Sequence, residues 1–354
     1  MSDSPSSVAE ITSAGMPVEI GKIDKELKKL WDADGGTKTR ASLTNFAIFC
    51  RGARAMDENT ALIAEFTKDH ACRAILIAAD ADSKERRVQA WISAHCHVSR
   101  SGGKQVCCEQ ISFLIEGPSQ QIVRNIVFSH LDSDLPLVLF WREDFPQVLD
   151  ERLWAWVDRL IFDSRAWSDP QVQFARLRSS LSRIKCRLVM CDLNWTRLLH
   201  FRWALAQMFD HPDNAAELPN IEKVEITHAP DSRSTAILLL GWLAAQLKWK
   251  LHGKTVDGYQ FGSEKGRIAV QLTAAEGAPV SSCKLGHDQF SFSATHKKDS
   301  IFMDTEVTLP DGRHFVHLVP AGKDDVSTLL DEELMRGGRH QVYLRALAAC
   351  ESIM

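Results

Sequence analysis

Tyrosine is nearly missing from this 354-residue chain, which has two Tyr against ten Trp and sixteen Phe. Tryptophan carries the largest apolar area and one indole donor, so the imbalance suits cores and protein interfaces. An excess of either charge is missing too. Lys and Arg number 42 against 46 Asp and Glu, leaving a net −4. That charge excludes the basic footprint of a general nucleic-acid binder. No apolar run approaches the roughly 20 residues of a membrane span; the longest extends from Ala236 to Ala245. The opening Met1-Ser-Asp-Ser-Pro-Ser-Ser7 has neither a positive n-region nor an apolar h-region, which predicts no secretion signal. The expected location is therefore the cytoplasm, with no membrane and no nucleic acid as partners.

Reaction motifs are missing as well. There is no G-x-G-x-x-G, no G-x-S-x-G and no H-E-x-x-H. Gly253-Lys254-Thr255 imitates the end of a phosphate loop, yet Lys248 stands where its first glycine belongs and a β region follows. No catalytic residue and no cofactor are expected. The nine cysteines are an odd number scattered through apolar stretches, which reads as reduced, buried thiols.

What is present is an ordinary globular pattern: 45% hydrophobic and 25% charged residues over a length that suits two domains. Residues 1–40 read as a flexible arm, polar and rich in Ser, Gly and Lys, with one short amphipathic helix from Ile23 to Trp31. Residues 41–167 form an expected α/β domain with strands at 44–49, 73–78 and 135–140 and an antiparallel hairpin of 88–98 with 105–116. Helices are expected at 58–68, from Pro118 to His130 and from Leu149 to Leu160. Residues 168–354 form the second domain. Helices are expected from Gln171, from Leu193 to Phe209 and from Ser232 to Trp249. An antiparallel meander follows at 267–273, 289–295, 301–308 and 313–318, then a last helix from Val326 to Ile353 broken near Gly337-Gly338. The fold class is thus α/β, of mixed α+β character. It comprises two layered domains, a mixed sheet with helices and then helices with a meander.

Three constellations carry possible chemistry. In the hairpin, a turn centred near Gly102 would set His97 opposite Cys107 and His95 opposite Glu109, which is a zinc-competent set. One slip in register scatters it, and no Cys-x₂-Cys spacing supports it, so no metal is expected. Arg142, Arg197 and Arg202 could bind a sugar phosphate, with Arg159 and Arg165 nearby. Structural pairing with Asp134, Asp158, Asp163 and Asp192 is the simpler reading. Asp192 itself is placed to cap the helix that follows it.

The tryptophan phrases carry the strongest signal. His70-Ala71-Cys72-Arg73, Asp134-Leu-Pro-Leu-Val-Leu-Phe-Trp141, Asp192-Leu-Asn-Trp195-Thr-Arg197 with Phe201-Arg202-Trp203, and Leu240-Gly-Trp-Leu-Ala244 occur in that order. Together they resemble the motifs of the glucose-6-phosphate dehydrogenase assembly proteins of the OpcA type. Here Ala71 replaces a proline of the family pattern, and Phe201 replaces a tryptophan. The resemblance implies a non-catalytic factor of the oxidative pentose phosphate pathway, binding glucose-6-phosphate dehydrogenase and promoting its active oligomer. It marks His70, Arg73, Asp134, Trp141, Asp192, Trp195, Arg197 and Arg202 as candidates for partner binding or coupling. The alternative is an enzyme or sensor holding a sugar phosphate through Arg142, Arg197 and Arg202.

Overall fold

Short apolar runs bounded by turn residues make the strands of a first sheet. They are β1 (Met16–Val18), β2 (Lys38–Arg40), β3 (Thr44–Arg51), β4 (Cys72–Asp80), β5 (Arg87–Val98), β6 (Gln105–Glu116), β7 (Leu137–Trp141), β8 (Arg159–Phe162) and β9 (Val189–Asp192). The computed structural model describes residues 14–32, 38–98, 105–117, 123–147, 151–181, 188–256, 258–336 and 340–354. It separates into two units, one of residues 1–162 with 176–190, the other of 163–175 with 191–354. The chain therefore passes from the first to the second, back again, and over once more.

The strand order is β1-β5-β6-β4-β3-β7-β8-β9, with β2 paired to β6 off that path. β6, β4, β3, β7 and β8 run parallel, while β5 and β1 add an antiparallel edge. All but the last residue of β4 are buried, as a parallel strand covered on both faces requires. Helices in this unit include α1 (Ile23–Asp32) and α2 (Met56–Phe66), the latter connecting β3 to β4. α1 seats Ile23 and Leu27 in the core. Taken by order of appearance, β6-β4-β3-β7-β8-β9 is the 3-2-1-4-5-6 arrangement of a Rossmann sheet.

The expected helix from Leu149 to Leu160 is corrected. Residues 149–150 lie outside the described region; among the described residues of that range only Glu151–Trp154 is helical, and Arg159–Phe162 pairs in parallel with β7. A run of three apolar residues, Leu160-Ile161-Phe162, suits a buried strand or a helix equally, and the neighbouring strand decided it. Of the helix expected from Pro118 to His130, residues 118–122 lie outside the described region, and 123–130 wind as a π turn followed by a 3₁₀ turn.

In the second unit α3 (Pro170–Leu181) begins one residue before the expected Gln171, and its residues to Ala175 belong here. α4 (Leu193–Arg197) and α5 (Leu199–Gln207) replace the single helix expected over 193–209, meeting at Leu198. Then come β10 (Lys223–His228), α6 (Arg233–Leu247), β11 (Lys250–Lys254), β12 (Gly258–Gly262), β13 (Arg267–Ala274), β14 (Val280–His287), β15 (Phe290–His296), β16 (Phe302–Thr308), β17 (His314–Pro320), α7 (Val326–Met335) and α8 (Gln341–Ile353). The sheet order is β11-β12-β13-β10-β14-β15-β16-β17, with β10 and β13 its one parallel pair. Strict alternation buries Ile268, Val270 and Leu272 and exposes Arg267, Ala269 and Gln271. α5 and α6 pack on the buried face. The opposite face shows Lys223, Glu225, Lys284 and Glu306 to solvent. Among the described residues no helix is long and apolar enough to cross a membrane.

Candidate functional site

Asp192 ends β9 and caps α4 as its position predicts. One carboxylate oxygen accepts the Asn194 amide at 2.9 Å and the Ser164 amide at 3.0 Å, and the other accepts the Tyr343 hydroxyl at 3.3 Å. Burial pushes the carboxyl up to about 7, with Asp163 adding to the effect. Asn194 extends the network, donating to Ser164 and Ser234 and accepting from Thr235 at 2.6 Å. Trp195 is buried beneath Arg202, whose guanidinium carbon lies 3.4 Å from the centre of the ring system. Arg202 also donates to the Trp195 carbonyl at 3.2 Å. Burial, with Arg336 adding, holds its pKa below the usual arginine range. Arg197 pairs with Asp163 at 2.8 Å and with Asp324, and Arg165 bridges Asp231 and Asp324.

Asp192, Trp195, Arg197 and Arg202 therefore come together in one network, in which the buried Arg202 Nε has no hydrogen-bond partner among the described residues. Arg142, in the first unit, donates to Asn59 at 2.7 Å and Glu58 at 2.8 Å. The three arginines proposed for a sugar phosphate are each engaged by groups of their own unit.

The first-unit candidates do not form one site. Arg73, at the start of β4, donates to Glu109 at 2.8 Å and to the His130 carbonyl at 2.8 Å. His70 stacks on Phe66, and Asp134 is exposed in the turn before β7. Trp141 stacks flat on Phe49 at 3.9 Å, at the far end of β7. Since β4 and β7 both run parallel to β3, Arg73 and Trp141 sit at opposite ends of the sheet.

The hairpin register differs by one residue from the expected one. Cys96 stands opposite Cys107, His95 opposite Cys108 and His97 opposite Val106. Cys96 and Cys107 form a disulfide, which corrects the expectation of reduced thiols for this pair. His95 contacts Gln110 at 2.6 Å, His97 contacts Thr67 at 3.4 Å, and Glu109 belongs to Arg73. A one-residue slip exchanges the faces, so the zinc-competent set is dispersed.

The Rossmann strand order marks a place that motif reading missed, the crevice above the carboxyl ends of β3 and β7 where the order reverses. The turn from β3 into α2 reads Arg51-Gly52-Ala53-Arg54-Ala55-Met56-Asp57. Gly52 adopts a left-handed φ of 70°, as the first fingerprint glycine would. Arg54 and Asp57 occupy the second and third glycine positions. Asp57 and Glu58 stand in the first turn of α2, where a diphosphate would bind. Arg142 ties Glu58 down, and Glu143 accepts the Arg51 amide at 2.8 Å. The repeated strand–helix–strand spacing was the available signal.

Two family domains match in sequence order. Residues 64–179 match the family model described as the glucose-6-phosphate dehydrogenase subunit N-terminal domain, and residues 189–347 match its C-terminal domain. The OxPP cycle protein OpcA of Nostoc punctiforme is 29% identical over 170 residues, 47% of this chain and 36% of that protein. Its namesake in Synechococcus elongatus is 26% identical over 254 residues, 71% of this chain and 54% of that protein. The chain thus spans about a third to a half of these relatives' length. Among solved structures, aldose-aldose oxidoreductase from Caulobacter crescentus superposes with a TM-score of 0.47 at 8% identity, over 88% of this chain and 96% of that one. Scyllo-inositol dehydrogenase from Lactobacillus casei gives 0.45 at 8%, over 88% and 95%. With both domains matched in order, the chain belongs to the OpcA-type family of glucose-6-phosphate dehydrogenase assembly proteins.

Proposed function

We propose that this chain is a non-catalytic partner of a glucose-6-phosphate dehydrogenase, promoting its active oligomer in the oxidative pentose phosphate pathway. The observation that carries the reading is the crevice over β3 and β7. The helix N-terminus that would meet a dinucleotide diphosphate carries Asp57 and Glu58, and Glu143 takes the backbone donor of Arg51. Carboxylates there repel the phosphates and already satisfy the positive end of the helix. Such a sheet is suited to scaffolding rather than to hydride transfer.

The exposed face of the second sheet supports a docking role. Phe302, Val316 and Leu318 are 47%, 57% and 68% exposed on β16 and its edge neighbour β17. In register they sit beside Asp304 and Glu306, giving apolar anchors within a polar rim. Activation then needs no chemistry. A partner that binds the active oligomer about 100-fold better than the inactive one shifts the balance by up to roughly 2.7 kcal/mol.

The test is the rate and sedimentation of the cognate dehydrogenase with this chain and with Val316→Asp/Leu318→Asp. The unaltered chain is expected to co-sediment and raise the rate, and the folded double variant to bind at least about tenfold more weakly. Binding by the double variant equal to the parent's would remove the sheet face from the proposal. No association and no change of rate at any substrate concentration would overturn the function itself.

A further inference from the structure

We propose that Cys191, Glu333 and His340 form a binding site for zinc or a similar borderline divalent cation. The three come from separate elements of the second unit: the end of β9, the last turn of α7 and the residue before α8. His340 Nε2 lies 2.7 Å from Glu333 Oε1 and 3.8 Å from Cys191 Sγ, and the three donor atoms all lie within 4.8 Å of one another. Around tetrahedral zinc, with bonds of about 2.0–2.3 Å, neighbouring donors stand roughly 3.3–3.7 Å apart. The sulfur–nitrogen spacing is already close to that. The nitrogen–oxygen pair needs to open from 2.7 Å by roughly half an ångström or a little more as two metal bonds replace the direct contact.

Chemistry and burial favour the same assignment. Thiolate, imidazole and carboxylate together select a borderline cation over magnesium or calcium. Cys191 and Glu333 are each 1% exposed. A thiolate and a carboxylate buried with neutral imidazole carry two negative charges, which a dication cancels inside the core. On binding, the Cys191 thiol proton and any proton on His340 Nε2 leave to solvent as the metal–sulfur, metal–nitrogen and metal–oxygen bonds form. Thr196 donates to the other oxygen of Glu333 at 2.6 Å, orienting the carboxylate as second-layer partners of metal ligands do. The fourth position is left for water. A bound ion would pin the start of α8 to the strand that leads into Asp192.

The experiment uses the full chain without a polyhistidine tag, stripped with chelator and titrated first with Co²⁺ and then with Zn²⁺. One equivalent of Co²⁺ is expected to bring a thiolate-to-metal charge-transfer band that Zn²⁺ abolishes, and Zn²⁺ is expected to raise the melting temperature. The band should vanish in Cys191→Ser and persist in Cys96→Ser/Cys107→Ser. Thr196→Val should weaken affinity by about 10–100-fold. If Cys191→Ser does not fold, Cys191→Ala serves in its place. Absence of the band from the parent chain, or its survival in a folded ligand variant, would overturn the site. This outcome is independent of whether the chain activates a dehydrogenase.

Discussion

Arg202 spreads its guanidinium over the face of Trp195 and closes the carbonyl of the same residue. Stacking, charge–ring attraction and the shielding of a buried indole all depend on one side chain. Arg202→Ala should therefore lower stability by about 2–4 kcal/mol. Arg197→Ala should cost less, about 1–3 kcal/mol, because its partner Asp324 is 38% exposed and can turn to water. Thermal melts measure both, alongside dehydrogenase activation assayed well below the melting range. We expect lowered melting with activation retained. An unchanged melting temperature with activation lost would instead make these arginines contacts of the partner. At this scale the sequence was readable where the partner lies close along the chain. Asp192 as a cap depends on Asn194 two positions on. The pairing of Arg73 with Glu109, 36 residues away, was not readable.

Among the elements, α6 and α8 pack so closely that Gly241 has a structural duty. A Cβ there would stand 2.3 Å from the Cys350 sulfur and 2.7 Å from the Ala346 carbonyl. Cys350 is itself buried and donates to the Ile237 carbonyl at 3.4 Å, so its thiol packs the helix contact, and burial pushes its pKa above the usual thiol range. Gly241→Val should force the helices apart and cost about 1–3 kcal/mol, read as a fall in the denaturant midpoint without a change of slope. A midpoint equal to the parent's would show that the contact yields freely. The strands of the second sheet that alternate cleanly, β13, β15 and β16, were legible from period two. β8 was not, because three consecutive apolar residues behind a Trp-bearing turn carry no period. The hairpin was legible as a hairpin, while its register, and with it the Cys96–Cys107 bond, depended on a turn whose length the sequence does not reveal.

For the whole molecule, a Rossmann strand order without its glycine fingerprint predicts that nicotinamide dinucleotides find no site. Titration with NADPH should leave both the melting temperature and the nucleotide fluorescence unchanged at concentrations well above those that saturate ordinary dehydrogenases. Saturable binding, lost on Arg142→Ala, would show that the crevice is open and would reverse the non-catalytic reading.

The sequence by itself determined composition, the mixed α/β class, the caps, most strands and helices, and the ordered motifs that place the chain in its family. These are properties of residues a few positions apart, where backbone geometry alone sets which side chains meet. Only the tertiary structure decided the strand order, the hairpin register, the discontinuous course of the chain between units, and the meeting of Cys191 with His340 across 149 positions. Such contacts follow from which strand lies beside which, and burial of whole faces selects that arrangement from many that share the same local pattern.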